Sequence, residues 1–136
     1  MMVHQRLWLS LPPTVLCLAD AALTLRGQPL NYWTGGFSEV LELNPLGYVL
    51  LAFHPLAFAA GVAIYMAILL AAILQLPARW AVLLAFVLSI GHLIGGAGWL
   101  AREGVVGWLF AVCLIVASER LVGLSWRKSG QEFARS

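Results

Sequence analysis

The sequence predicts an all-α polytopic membrane protein of four transmembrane helices, and three observations predict it. Hydrophobic residues make up 62% of the 136, charged residues 10%, and the mean hydropathy is +0.90. A water-soluble domain carries about 25% charged residues, so this chain has too few to coat a solvated surface. Four apolar runs each reach the ~20 residues that about 30 Å of hydrocarbon demands. None alternates with a period of two, which excludes a barrel and leaves helices to satisfy the backbone in lipid. The chain therefore reads as one integral membrane domain, 1–136, with the lipid bilayer as its first partner. A net charge of +2 with no basic, aromatic-interleaved stretch argues against a nucleic-acid surface.

The first span is expected over 7–25. Arg6 ahead of it and Ala19-Asp20-Ala21 within it also loosely fit a cleaved signal peptide, but the expectation is a retained span. A long outer loop, 26–44, follows; Tyr32, Trp33 and Phe37 alternate there with Gly27, Gly35 and Gly36, as in a segment that folds onto the membrane surface or re-enters as a lid. Asn44 as N-cap and Pro45 at the first helical position open the second span, 45–76. A straight helix of that length measures about 48 Å, longer than the bilayer core, and His54-Pro55 predicts a kink within it. Spans three and four are expected over 78–101 and 104–126, with connections so short that helices two to four must run antiparallel. Arg6, Arg79, Arg120, Arg127, Lys128 and Arg135 fall on one side and Arg26 and Arg102 on the other, which predicts N-in, C-in in the inner (plasma) membrane. Glu119 near the inner end of span four is expected to be neutralised by Arg79 or Arg120 or to snorkel to the cytoplasmic interface, and the polar tail 127–136 is short.

Three side chains do not belong in lipid. Asp20, His54 and His92 lie on three different spans, all in the outer half: Asp20 about 8–9 Å in and each histidine about 13 Å in, at ~1.5 Å rise per residue. An Asp at a helix centre costs about 2.5–3.5 kcal/mol on insertion scales, so a shared polar layer is the economical reading. Thr24 lies on the Asp20 face at i+4, and Glu42 can hang above the layer if the loop folds inward. The ligand-binding set is then Asp20, Thr24, Glu42, Asn44, His54 and His92. Two imidazoles and a carboxylate are suitable donors for a divalent metal such as Zn²⁺, with His54, His92 and Asp20 as its ligands, although no HExxH or i, i+4 histidine pair supports it. The same residues also fit an interhelical hydrogen-bonded pair, or a general base with a carboxylate orienter. A break at His54-Pro55 would free the carbonyl of Leu51, which must then face protein or a wet cavity. Cys17 and Cys113 read as free, packed thiols.

Asp20-x3-Thr24, then Gly27, then Glu42-x-Asn44-Pro45 opening the next helix, resembles the signature of an uncharacterised family of small, about four-span bacterial and archaeal membrane proteins. The resemblance covers the first 45 or so residues and implies that the polar group acts as a unit; it implies no activity. The chain departs from it in a longer insertion before Glu42 and in the His54-Pro55 pair. Gly91-His92-Leu93-Ile94-Gly95 is similar to the His-x-x-Gly segment of rhomboid proteases, a likeness read as coincidental; Gly91-x3-Gly95 is expected to make a close helix contact instead. The expected function is a membrane protein whose outer pocket binds a metal ion or small ligand. The alternatives are an intramembrane hydrolase acting on lipid or peptide, and a structural subunit or homo-oligomer presenting the face of Ala57, Gly61 and Tyr65 with Ala60, Ile64, Ala67 and Ala71 beside it.

Overall fold

The computed structural model describes residues 3–130 and contains six helices among them: α1 Val3–Arg26, α2 Leu30–Trp33, α3 Pro45–Phe53, α4 Pro55–Gln75, α5 Ala78–Ala101 and α6 Gly104–Gly130. Four of them, α1, α4, α5 and α6, are long and apolar enough to cross a membrane. Arg135 and the tail beyond residue 130 lie outside the described residues.

Helices α1 and α5 sit side by side in the middle of the bundle. Helix α6 packs against both on one flank, and α4 packs against both on the other without touching α6. Small residues explain the central contact. Ala81, Ala85, Ser89 and Gly96 are the buried positions of α5, and they let it approach α1 closely. Helix α1 carries Pro12 and Pro13 in its interior, both buried. Proline has no N–H, so Pro12 leaves the carbonyl of Trp8 without its intrahelical donor. The Ser125 hydroxyl of α6 donates to that carbonyl, so the helix defect becomes an interhelical tie. At the same end, Arg6 Nη1 donates to the carbonyls of Ile73, Leu74 and Leu76 at 3.1, 2.8 and 2.6 Å. The last turn of α4 has orphan carbonyls, and a cation is the complement they lack. Glu119 pairs with its neighbour Arg120 at 3.5 Å, both exposed, as local neutralisation required.

The second expected span is corrected. Residues 45–76 form not one kinked helix but two helices, divided at His54, whose backbone is extended (φ −175°, ψ 144°). His54 ends α3 and caps α4: its Nδ1 accepts from the N–H of Leu56 at 3.1 Å, with Pro55 at the first position of the new helix. The chain doubles back there. A Cβ on Gly61 would stand 2.5 Å from Leu50 Cδ1, whereas residues eleven apart on one straight helix are about 16 Å apart. The surplus apolar length is thus folded against α4, and the 21 residues of α4 cross alone.

The loop between α1 and α3 is held over this hairpin by three side chains. The Gln28 amide donates to the carbonyls of Thr24 and Leu41 and accepts from the N–H of Leu41, pinning the end of the loop to the end of α1. Tyr32, on the short α2, is fully buried with Leu51 and Phe58 and stacks edge-on against Phe37. Its hydroxyl donates to the carbonyl of Leu51 at 3.1 Å, the carbonyl that Pro55 cannot serve. Burial raises the Tyr32 pKa above its ordinary phenol value, so the proton needed for this bond is retained. The freed carbonyl therefore faces protein rather than a wet cavity.

Two substitutions test these ties. Tyr32→Phe leaves the Leu51 carbonyl buried without a donor and is expected to destabilise the protein by about 1–3 kcal/mol. Ser125→Ala removes an interhelical bond in lipid, worth about 0.6 kcal/mol on average and at most ~1.7. Reversible unfolding in mixed micelles should rank them in that order; equal stability of Tyr32→Phe and the parent would contradict the first.

Candidate functional site

Of the three intramembrane ionisable residues, two meet. Asp20 Oδ2 and His92 Nδ1 are 3.0 Å apart across the α1–α5 contact, and both side chains are about one-fifth exposed. The approach depends on Gly95: a Cβ there would lie 2.7–2.9 Å from the atoms of the Asp20 carboxylate. The far nitrogen of the ring, Nε2, lies 3.3 Å from the Tyr65 hydroxyl of α4, and the two rings pack edge to face with centroids 5.7 Å apart. Nδ1 hydrogen-bonds the Asp20 carboxyl group and Nε2 the Tyr65 hydroxyl, so both ring nitrogens have partners. The Cys17 thiol, one helical turn before Asp20, is buried and lines the same cavity as the pair. The polar unit is therefore Asp20–His92–Tyr65 with Cys17 beside it.

His54 is not part of it. Its Nδ1 is engaged in capping α4 and its ring packs on Phe37, and it is not among the residues lining the cavity described next. The expected metal set of His54, His92 and Asp20 does not assemble. Among the described residues no three His, Cys, Asp or Glu side chains are grouped to hold a metal ion. The physical reason is the break itself: a histidine that must serve as N-cap cannot also reach across the bundle.

The pair forms part of the wall of a cavity of about 840 Å³ between α1, α3, α4 and α5, within the ~300–1,000 Å³ of small-molecule sites. Three further residues of the expected set, Thr24, Glu42 and Asn44, line the same cavity as Asp20 and His92. The walls are mostly apolar, and exposed residues of α4 (Tyr65) and α5 (Val87, Ile94) belong to the lining, so it opens sideways between those helices. Gly91 and Gly98 border it on open space, where a Cβ on either would meet nothing within 4 Å. The expected Gly91-x3-Gly95 contact is thus half right: Gly95 makes a close approach and Gly91 borders space. Glu42 and Arg102 also line the cavity; Leu41, next to Glu42, is tied to Gln28, and the Trp99 ring under Arg102 meets Gly27, which places both charges by the end of α1. Glu42 Oε1 accepts from the N–H of Asn44 at 2.7 Å, and the Asn44 side chain accepts from Leu46 and Gly47, so both acidic and amide groups help cap α3. The Arg102 guanidinium lies over the Trp99 indole, 4.5 Å from the ring centroid, and Trp99 in turn rests on Gly27, where a Cβ would come within 2.3 Å of it.

Sequence reasoning missed Cys17, Tyr65, Trp99 and Arg102 as site residues. Cys17 stands at i−3 from Asp20 and so shares its face, which was a readable signal. Tyr65 is the one hydroxyl in the most apolar span, α4, and it lines the cavity with Gly61. Ala60, Ile64, Ala67 and Ala71 do face outward. Ser89 donates to the carbonyl of Ala85 one turn back.

The chain matches no family model, no curated protein and no solved structure.

The pair predicts a non-additive mutant cycle. His92→Ala leaves a carboxylate in the membrane without its partner and is expected to cost about 1–3 kcal/mol. Adding Asp20→Ala removes that stranded charge, so the double variant should be at least as stable as His92→Ala alone. Additive losses in micellar unfolding would show that the two side chains do not act together.

Proposed function

We propose that this chain is a small multi-pass protein of the inner (plasma) membrane, N-in and C-in, whose outer cavity binds a small amphipathic ligand. The observation that carries the reading is the position of the Asp20–His92 pair: it is set into the wall of a laterally open, mostly apolar cavity. Interhelical glue alone has no need of adjoining space, and two glycines of α5 border that space. Apolar walls with a few convergent polar groups are the general form of a ligand site. The residues that carry the family resemblance, Asp20, Thr24, Glu42 and Asn44, border this one cavity, which supports their acting as a unit.

A second reading, hydrolysis of a lipid or peptide bond in the membrane, rests on one feature. A carboxylate on Nδ1 fixes the tautomer that leaves Nε2 basic, as a general base requires. Its nucleophile would be water or the Cys17 thiol. Turnover of labelled lipid in reconstituted vesicles, lost on His92→Ala, would favour it over binding alone.

The binding reading is tested by filling the cavity without touching a polar group. Gly91→Leu places its side chain in open space, so the variant should fold. Titration of the purified protein with an environment-sensitive fluorescent single-chain amphiphile should show at least about tenfold weaker binding for Gly91→Leu, a difference of roughly 1.4 kcal/mol or more. Equal binding by the two proteins would overturn the reading.

A further inference from the structure

Resting on that reading of the cavity, we propose that its occupant is a membrane lipid with a zwitterionic headgroup, whose ammonium meets Glu42, whose phosphate meets Arg102, and whose acyl chain lies between α4 and α5. Three observations carry this. First, Glu42 and Arg102 line the same end of the cavity and are not paired with each other; the ion pairs among the described residues are His92–Asp20 and Arg120–Glu119. Two opposite charges that share a site without neutralising one another are the complement of a ligand bearing both signs.

Second, each charge keeps capacity for a ligand. The Glu42 carboxylate uses Oε1 for the Asn44 N–H, and Oε2 makes no hydrogen bond among the described residues. The Arg102 guanidinium is held by the Trp99 face alone, which orients its plane and leaves its N–H fork to donate. The bidentate geometry of that fork suits a phosphate. The carboxylate offers an ammonium an acceptor that is already positioned by the start of α3. Of the other titratable groups on the cavity wall, Asp20 and His92 are turned to each other, Tyr65 faces His92 and Cys17 is a buried thiol, so headgroup selection is left to Glu42 and Arg102.

Third, the cavity below the two charges is shaped for a chain. Leu46, Leu50, Phe58, Val62 and Leu88 form its apolar wall, and its lateral opening between α4 and α5 faces where acyl chains lie. Arg102 falls just after the membrane-crossing α5, and Glu42 lies in the loop just before the short α3. A lipid seated there would keep its headgroup at interfacial depth and its tail in hydrocarbon, so no charge is carried into the bilayer core.

The experiment is native mass spectrometry of the full chain, reconstituted with equal amounts of phosphatidylethanolamine and phosphatidylglycerol and then released from detergent. The parent should retain phosphatidylethanolamine in at least fivefold preference. Glu42→Gln should reduce that ratio toward one, because the ammonium loses its partner while the phosphate keeps Arg102. Arg102→Gln should reduce retention of both lipids at least fivefold. Gly91→Leu should retain neither. Retention in Gly91→Leu equal to the parent would defeat the cavity reading and this inference with it. Lipid held by the parent and lost in Gly91→Leu, but without preference or with a preference for phosphatidylglycerol, would overturn the headgroup assignment and leave binding intact. Should either charge variant fail to fold, competition on the parent protein decides: a lysolipid with a phosphoethanolamine head should displace the bound lipid at several-fold lower concentration than lysophosphatidic acid, and the reverse order would overturn the inference.

Discussion

A carboxylate and an imidazole that find one another inside hydrocarbon constrain everything around them. Asp20 stands on α1 and His92 on α5, and neither is at home in lipid without a partner. Their 3.0 Å separation requires the helices to touch at one level, and that requires a glycine, Gly95, where the carboxylate crosses. The same register brings Tyr65 of α4 to the far side of the imidazole. Three helices are thereby indexed to a single polar point, and the cavity is the space left where α4 stands off from α5.

The opposite ends of the bundle are secured by a different device, the repair of helix defects. Pro12 strips a donor from the carbonyl of Trp8, and Ser125 replaces it from another helix. Pro55 does the same to Leu51, and Tyr32 replaces it from the loop. Arg6 serves the exposed carbonyls at the end of α4. In a medium with no water to complete a hydrogen bond, each break in a helix specifies a partner. These satisfied breaks tie together segments far apart in sequence, including the loop that covers the α3–α4 hairpin. Lipid-facing side chains contribute no comparable specificity, because acyl tails are as apolar as leucine. The long exposed faces of α4 and α6 are therefore silent about orientation and partners, while the few polar atoms carry the geometry.

Much of the fold and part of the site could be read before any coordinates. The four spans follow from length and apolarity, with boundaries within a few residues for α1, α5 and the start of α6. The N-cap at Asn44 and the common face of Asp20 and Thr24 were also legible, because helical spacing fixes which residues of one helix share a face. The second span was misjudged because hydropathy measures transfer to lipid and is blind to chain direction. An extended His54 reverses the path without changing the apolarity of a single residue. His54 was misplaced for the same reason: its depth was computed along a helix that does not continue.

Composition and periodicity thus dictate that the chain enters the membrane and how many times, since both depend on sums over many residues. Which polar side chains meet was settled by packing, since an interhelical contact depends on the azimuth and separation of helices remote in sequence. Arg102 and Tyr65 illustrate the difference. Alone they read as an interfacial cation and an aromatic filler, and only the placement of α4 against α5 makes them walls of one cavity. The same limit holds for Gly91 and Gly95: four residues apart and alike in sequence, one admits a carboxylate and the other borders open space.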